Sequence, residues 1–95
     1  VLSVFTFSDE EEAIKLANDS SFGLAAYGAT ENLGRAHRLG HRLNAGFMLV
    51  IGTSTPTYDG VIIGMEGHRE SGFGYEEGLA GLAAYTVSTA VYLTM

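Results

Sequence analysis

Five consecutive apolar residues, Phe47-Met48-Leu49-Val50-Ile51, constrain this chain more than any other feature. A strand with one wet face alternates apolar and polar side chains. An unbroken apolar run belongs to a strand covered on both faces, and parallel sheets flanked by helices produce such strands. The flanking sequence supplies the helices. Ser8-Asp9-Glu10-Glu11 has the S-x-x-E form of a capping box, and carboxylates in a first turn favour the positive end of the helix dipole. The acidic run 9–12 therefore reads as a helix start rather than a metal or partner site, with Ala13, Ile14, Leu16 and Ala17 on the buried side. Thr30 is the expected cap of a second helix over 31–43. There Leu33, Ala36, Gly40 and Leu43 share one face, widened by Leu39, and Arg35, Arg38 and Arg42 share another. Glycine on an apolar helix face weakens the helix against alanine, so close packing is expected at Gly40. Asn44 or Gly46 is the expected left-handed C-cap.

The remaining segments complete an alternation. Residues 1–7 and 24–27 read as strands, and 52–67 as a glycine-broken loop of a length that is often functional. Residues 76–85 read as a last helix with Leu79, Leu82 and Ala83 inward, and 87–93 as a period-two strand. The order β-α-β-α-β-loop-α-β implies an α/β fold with mixed or parallel strands. Ninety-five residues make one domain with a thin core. The chain opens on Val1 inside a strand-like run, so it is expected to be a piece of a larger protein.

Composition removes several functions. With 5 basic against 11 acidic residues and a net charge of −6, the chain lacks the positive surface that tracks phosphates, so nucleic acid is not an expected partner. No apolar run approaches roughly 18 residues, so no membrane span is expected. There are no cysteines, which removes disulfides, thiolate metal sites and a cysteine nucleophile from these residues.

The residues that carry chemistry elsewhere lack the right company here. His37 and His41 share a helix face at zinc-protease spacing, but Arg38 stands where the catalytic Glu would follow, among Arg35 and Arg42. A solvated basic face is the expectation, with no metal. Gly72-Phe73-Gly74-Tyr75-Glu76-Glu77-Gly78 is one residue longer than a dinucleotide fingerprint and carries two carboxylates where a pyrophosphate would sit, so a tight turn feeding a helix is expected. Ser71 lacks the G-x-S-x-G elbow. Glu66 and Glu70 are read as exposed loop charges rather than an acid-base pair. From the residues alone, the chain is an α/β domain with no site shown.

In order and spacing, seven segments resemble the C-terminal stretch of NAD(P)-dependent aldehyde dehydrogenases. Val1-Leu2-Ser3-Val4 with Glu12-Ala13-Ile14 and Ala17-Asn18-Asp19 is similar to that family's strand and helix after E-x-F-G-P. Phe22-Gly23-Leu24-Ala25-Ala26-Tyr27 is similar to Y-G-L-A-A, and Leu33-Gly34-Arg35-Ala36-His37-Arg38-Leu39 to L-x-R-A-x-R. Ala45-Gly46 with the apolar strand is similar to A-G-T-V-W-V-N. Ser71-Gly72-Phe73-Gly74 with Glu76, Gly78 and Leu82 is similar to S-G-x-G-R-E-x-G and the helix after it. Tyr85-Thr86 and the last strand are similar to the terminal E-Y-T segment.

The resemblance implies part of a Rossmann-like catalytic domain with a mixed or parallel sheet over 1–86, and an oligomerisation strand over 87–95 that makes a homo-oligomer. It implies a cytoplasmic parent that oxidises a small aldehyde with NAD or NADP, and Leu24-Ala25-Ala26-Tyr27 and Ala36-His37-Arg38-Leu39 lean toward the succinate-semialdehyde branch. The family's Cys nucleophile, its general-base Glu and its cofactor site lie outside these residues, so no catalytic or cofactor-binding residue is expected here. What remains is the wall of the aldehyde pocket: Ile51, Thr53, Ser54, Tyr58 and Met65. Ile51 stands where the family has an Asn that steadies the oxyanion, a kind of donor worth about 10²–10³ in rate. Gly64-Met65-Glu66-Gly67-His68-Arg69 stands for P-F-G-G-x-K, and Tyr75 for the usual Arg. These departures leave a second reading, a non-catalytic α/β structural or binding module or a degenerate dehydrogenase-like subunit.

Overall fold

A computed structural model describes residues 1–52 and 64–95. The apolar run forms β3 (Phe47–Ile51), which pairs in parallel with β2 (Ala25–Ala29), Ala25 opposite Phe47 through Ala29 opposite Ile51. Two parallel strands need a crossover, and α2 (Leu33–Arg42) supplies it. This β-α-β unit is the α/β element the alternation predicts. Two short antiparallel pairs join it. β1 (Phe22–Gly23) lies against β5 (His68–Arg69), and β4 (Met65–Glu66) against β6 (Tyr75–Glu76). The helices α1 (Glu10–Asn18) and α3 (Gly78–Ala83) complete the described elements.

The caps shift from their expected residues for local reasons. Asp9 caps α1, its Oδ1 accepting from the Glu12 N–H at 2.8 Å, while Glu12 reaches back to accept from the Ser8 N–H at 2.8 Å and the Ser8 hydroxyl at 2.6 Å. Asn32, not Thr30, caps α2 by accepting from the Arg35 N–H. Thr30 follows β2, its N–H donating to the Ile51 carbonyl at 3.0 Å, and its hydroxyl accepts from the Asn32 N–H at 3.1 Å. Leu43 closes α2 in extended geometry, so neither Asn44 nor Gly46 takes the left-handed position. The last helix starts at Gly78 rather than Glu76, because Tyr75 and Glu76 pair with β4 and Glu77 sits at φ 60.

Two expected strands do not form. Residues 1–7 and 87–93 are without regular structure. Their apolar side chains stand in solvent, from Val1 and Leu2 to Phe5 at one end and from Val87 to Tyr92 and Leu93 at the other. A strand is defined by the backbone that pairs with it, and no described segment offers these two a ladder. The buried sides predicted for the helices are thin for the same reason. Ile14 alone among the described apolar residues is buried, at 5% exposure, a contribution of about 1.5–3 kcal/mol. Leu33, Leu79 and Leu82 are exposed, and each residue of β3 is half-buried rather than covered on both faces. Among the described residues outside α2, nothing lies within 4 Å of where a Gly40 side chain would begin, so they do not supply the close packing expected there. The Cα radius of gyration is 17.8 Å, against about 12 Å for a compact chain of this length. The accessible surface of 7895 Å² compares with about 5,300 Å² for a folded monomer of this mass.

Ion pairs, rather than a large apolar seam, tie α1 to α2. Arg38 Nε and Nη2 donate to Glu10 at 2.6 and 2.7 Å, Arg35 Nε donates to Glu10 at 3.2 Å, and Arg42 grips Glu11 with both terminal nitrogens. The arginine stripe expected to be merely solvated is therefore an inter-helix ladder. The hydrogen bond from Arg38, followed by that from Arg35, holds the Glu10 carboxyl down to about 2 from its ordinary 4.5. A carboxyl lowered in the folded state contributes stability above its unfolded value and loses it as pH falls through the folded one. The difference in Tm between wild type and Glu10→Gln is thus expected at neutral pH and to shrink as pH falls from 4.5 toward 2. Melts across that range check it, and a difference that persists at pH 2 defeats it.

Candidate functional site

The five residues expected to wall an aldehyde pocket fall into three groups. Ile51 ends β3, half-buried, its carbonyl taken by Thr30. Met65 opens β4, half-buried and opposite Glu76. Thr53, Ser54 and Tyr58 lie outside the described residues. Ile51 and Met65 stand near opposite ends of β3. Glu66 crosses the chain at Gly46, next to the start of β3, and Ile51 is five residue steps further along, a distance on the order of 15 Å.

A polar network that the sequence reading missed surrounds the crossing. The Asn18 side chain spans two helix ends: its Nδ2 donates to the Arg42 carbonyl, and its Oδ1 accepts from the Asn44 N–H, both at 2.8 Å. Arg69 reaches the same place from β5. Its Nη1 donates to the Asn18 carbonyl at 3.0 Å and to the Ser20 carbonyl. The neighbours of Asn44 orient its amide: Oδ1 accepts from Arg69 Nε at 2.8 Å and Nη2 at 2.7 Å, and the other amide atom faces His68 Nδ1 at 3.4 Å. Two further bonds stitch the turn after β5 to β1. The Gly23 N–H donates to Ser71 Oγ at 2.9 Å, and the Glu70 N–H to the Ser21 carbonyl at 2.9 Å. Its members appear in the sequence only singly: Asn18 and Ser71 in family-like segments, Asn44 as a cap candidate and Arg69 where the family has Lys. Arg69 is 51 residues from Asn18, a separation no local pattern reports.

These groups border a cleft of about 260 Å³ lined in part by Asn18, Ser20, Asn44 and Ser71. A second groove of about 470 Å³ lies between α1, β2 and α2, against Ile14, Gly28, Leu39 and Arg35. Neither is lined by Ile51 or Met65. Glu66 does not pair with Glu70 as acid and base: it accepts the Tyr75 hydroxyl, and that hydrogen bond, followed by the carboxylate's charge, raises Tyr75 above the ordinary phenol value, while Glu70 is exposed. His37 and His41 are exposed, and no group of three His, Asp or Glu among the described residues converges as metal ligands do. Gly72 and Gly74 take φ 97 and 95, a tight turn that leaves Phe73 fully exposed. Antiparallel β6 precedes the six-residue α3, and Glu76 and Glu77 stand at the helix start, where a pyrophosphate would meet like charge. No helix among the described residues is long and apolar enough to cross a membrane.

A parallel β-α-β unit braced by antiparallel pairs defines a mixed α/β domain fragment. The pattern of the aldehyde dehydrogenase family matches residues 1–91, and the chain belongs to that family. It is 40% identical, over its whole length, to a betaine aldehyde dehydrogenase of Brucella melitensis biotype 2 (strain ATCC 23457), and spans 19% of that relative. Among solved structures it is similar to the aldehyde dehydrogenase KauB from Pseudomonas aeruginosa, with a TM-score of 0.84 at 34% identity over 99% of this chain and 18% of that one. It is also similar to the betaine aldehyde dehydrogenase from Staphylococcus aureus in complex with NAD+, with a TM-score of 0.73 at 36% identity over 85% of this chain and 16% of that one.

Proposed function

We propose that this chain is the C-terminal part of an enzyme that oxidises a small aldehyde to a carboxylic acid with NAD(P)+, through a thioester on a Cys outside these residues. The observation that carries the reading is the family match across residues 1–91. In this reading Ile51, Thr53, Ser54, Tyr58 and Met65 contribute to the aldehyde-pocket wall, and the cofactor is held elsewhere in the parent. Residues 87–95 pair with a neighbouring copy. The exposed, period-two apolar side chains Val87, Val91 and Leu93 support that role, because a segment with a strand's pattern and no ladder of its own can add to an exposed sheet edge. The parent works in the cytoplasm.

Relatives of this chain are named for betaine aldehyde and indole-3-acetaldehyde, and the resemblance leans toward succinate semialdehyde. The test is NAD(P)H formation by the parent with these three aldehydes and propionaldehyde. Turnover with at least one is expected. A folded parent that turns over none favours the degenerate-subunit reading, for which Ile51 in the place of an amide donor is the motivating residue.

A further inference from the structure

We propose that Arg69 is a positioning residue for the aldehyde pocket: it fixes the strip from Met65 to Ser71 against the end of α1, and so sets where Met65 stands. The inference rests on the functional reading above. Every N–H-bearing nitrogen of the guanidinium is engaged, Nη1 on the Asn18 and Ser20 carbonyls and Nε with Nη2 on the Asn44 amide oxygen. These acceptors belong to the C-terminal end of α1 and to the segment linking α2 to β3. A cation there meets the negative end of the α1 dipole, and a planar fork matches paired carbonyl and amide oxygens in a way an ammonium does not. The backbone of Arg69 is itself held at φ 55, a conformation uncommon for a residue with a side chain. Such a residue persists where its surroundings over-determine it. Arg69 pairs with Phe22, and the next two residues are tied to Ser21 and Gly23. On the other side, Gly67 alone separates β5 from β4, which carries Met65. A shift at Arg69 is therefore handed directly to Met65.

The parent enzyme carrying Arg69→Ala or Arg69→Lys tests this, with propionaldehyde and NAD+. Loss of uniform substrate binding raises KM and leaves kcat alone, so Arg69→Ala is expected to raise KM about tenfold with kcat within about twofold, and Arg69→Lys about threefold. Hydrogen exchange at the Gly23 and Glu70 amides is expected to quicken in both variants. A merely structural role would lower active enzyme without moving KM. An unchanged KM in Arg69→Ala overturns the proposal, as does unchanged exchange at both amides. If the alanine variant does not fold, an unchanged KM in Arg69→Lys overturns it. A wild-type parent that turns over no aldehyde overturns the functional reading and the pocket role with it, whereas an active wild type with insensitive variants overturns the role of Arg69 alone.

Discussion

Gly46→Ala is expected to unfold this part of the protein or cost it about 3 kcal/mol or more, at the upper end of what overpacking does. A Cβ built at Gly46 lands inside the Glu66 carbonyl group. Neither backbone can step aside cheaply. The Gly46 N–H donates to the Gly23 carbonyl at 3.1 Å, and the next residue continues the ladder through Phe47 N–H to the Leu24 carbonyl at 3.0 Å. Glu66 is pinned from the other side by its pairing with Tyr75. One methyl group therefore forces either β4 off β6 or β3 off its parallel partner. Gly40→Ala is the internal control. Gly40 lies inside α2, with no atom of the other described segments within 4 Å of its Cβ position, so alanine there is expected to fit and to gain helix propensity, up to about 1 kcal/mol. Thermal melts of the parent with each variant decide the matter. Gly46→Ala melting within a degree or two of wild type would show that the crossing of β3 and β4 is wrong, and a destabilised Gly40→Ala would show that α2 has a neighbour at that face.

What the sequence made legible depends on how local each cause is. The strand at 47–51 was readable because five apolar residues carry their own burial signal. The helices at 10–18 and 33–42 were readable within one or two residues, since periodicity and first-turn carboxylates are local. The caps were less so: Thr30 and Asn32 are both good cap chemistry, and only the backbone path after β2, which puts Asn32 against the Arg35 N–H and the Thr30 hydroxyl against the Asn32 N–H, decides between them. The end segments 1–7 and 87–93 have strand-like patterns but no described partner, and pairing is a property of two segments. The last helix lost its first two residues to β6, again through a distant strand. At the site, the family's motifs carried the identity, whereas Ile51 ends β3 and Met65 opens β4. Arg69, Asn18 and Asn44 were invisible as a unit because their bonds span 24 to 51 residues. Conversely, the ion-pair ladder was half visible: the arginine stripe and the acidic turn were both read, but not that they face each other.

The 95 residues alone are expected to reduce no NAD+ with any of the four aldehydes, a complete loss relative to the parent. Three independent features of the chain lead there. It has no cysteine, and a serine hydroxyl is a far weaker nucleophile than a thiolate at neutral pH. Its glycine turn at 72–74 leads into carboxylates rather than a phosphate cradle. Its apolar surface is largely uncovered, with Leu79, Leu82 and Tyr85 of the last helix region and both end segments in solvent. A chain that buries so little gains little to set against the conformational entropy of ordering it, so its thermal transition is expected to be broad and its solutions prone to association through residues 87–93. Supplying the rest of the parent as a separate polypeptide during expression is expected to restore both a sharp transition and turnover, because the same apolar faces would then be covered. NADH absorbance and calorimetry on the isolated chain and on the reassembled pair provide the readings. Turnover by the chain alone would mean that the nucleophile has been sought in the wrong place. A sharp, cooperative melt of a soluble monomer would mean that these elements already hold a core of their own.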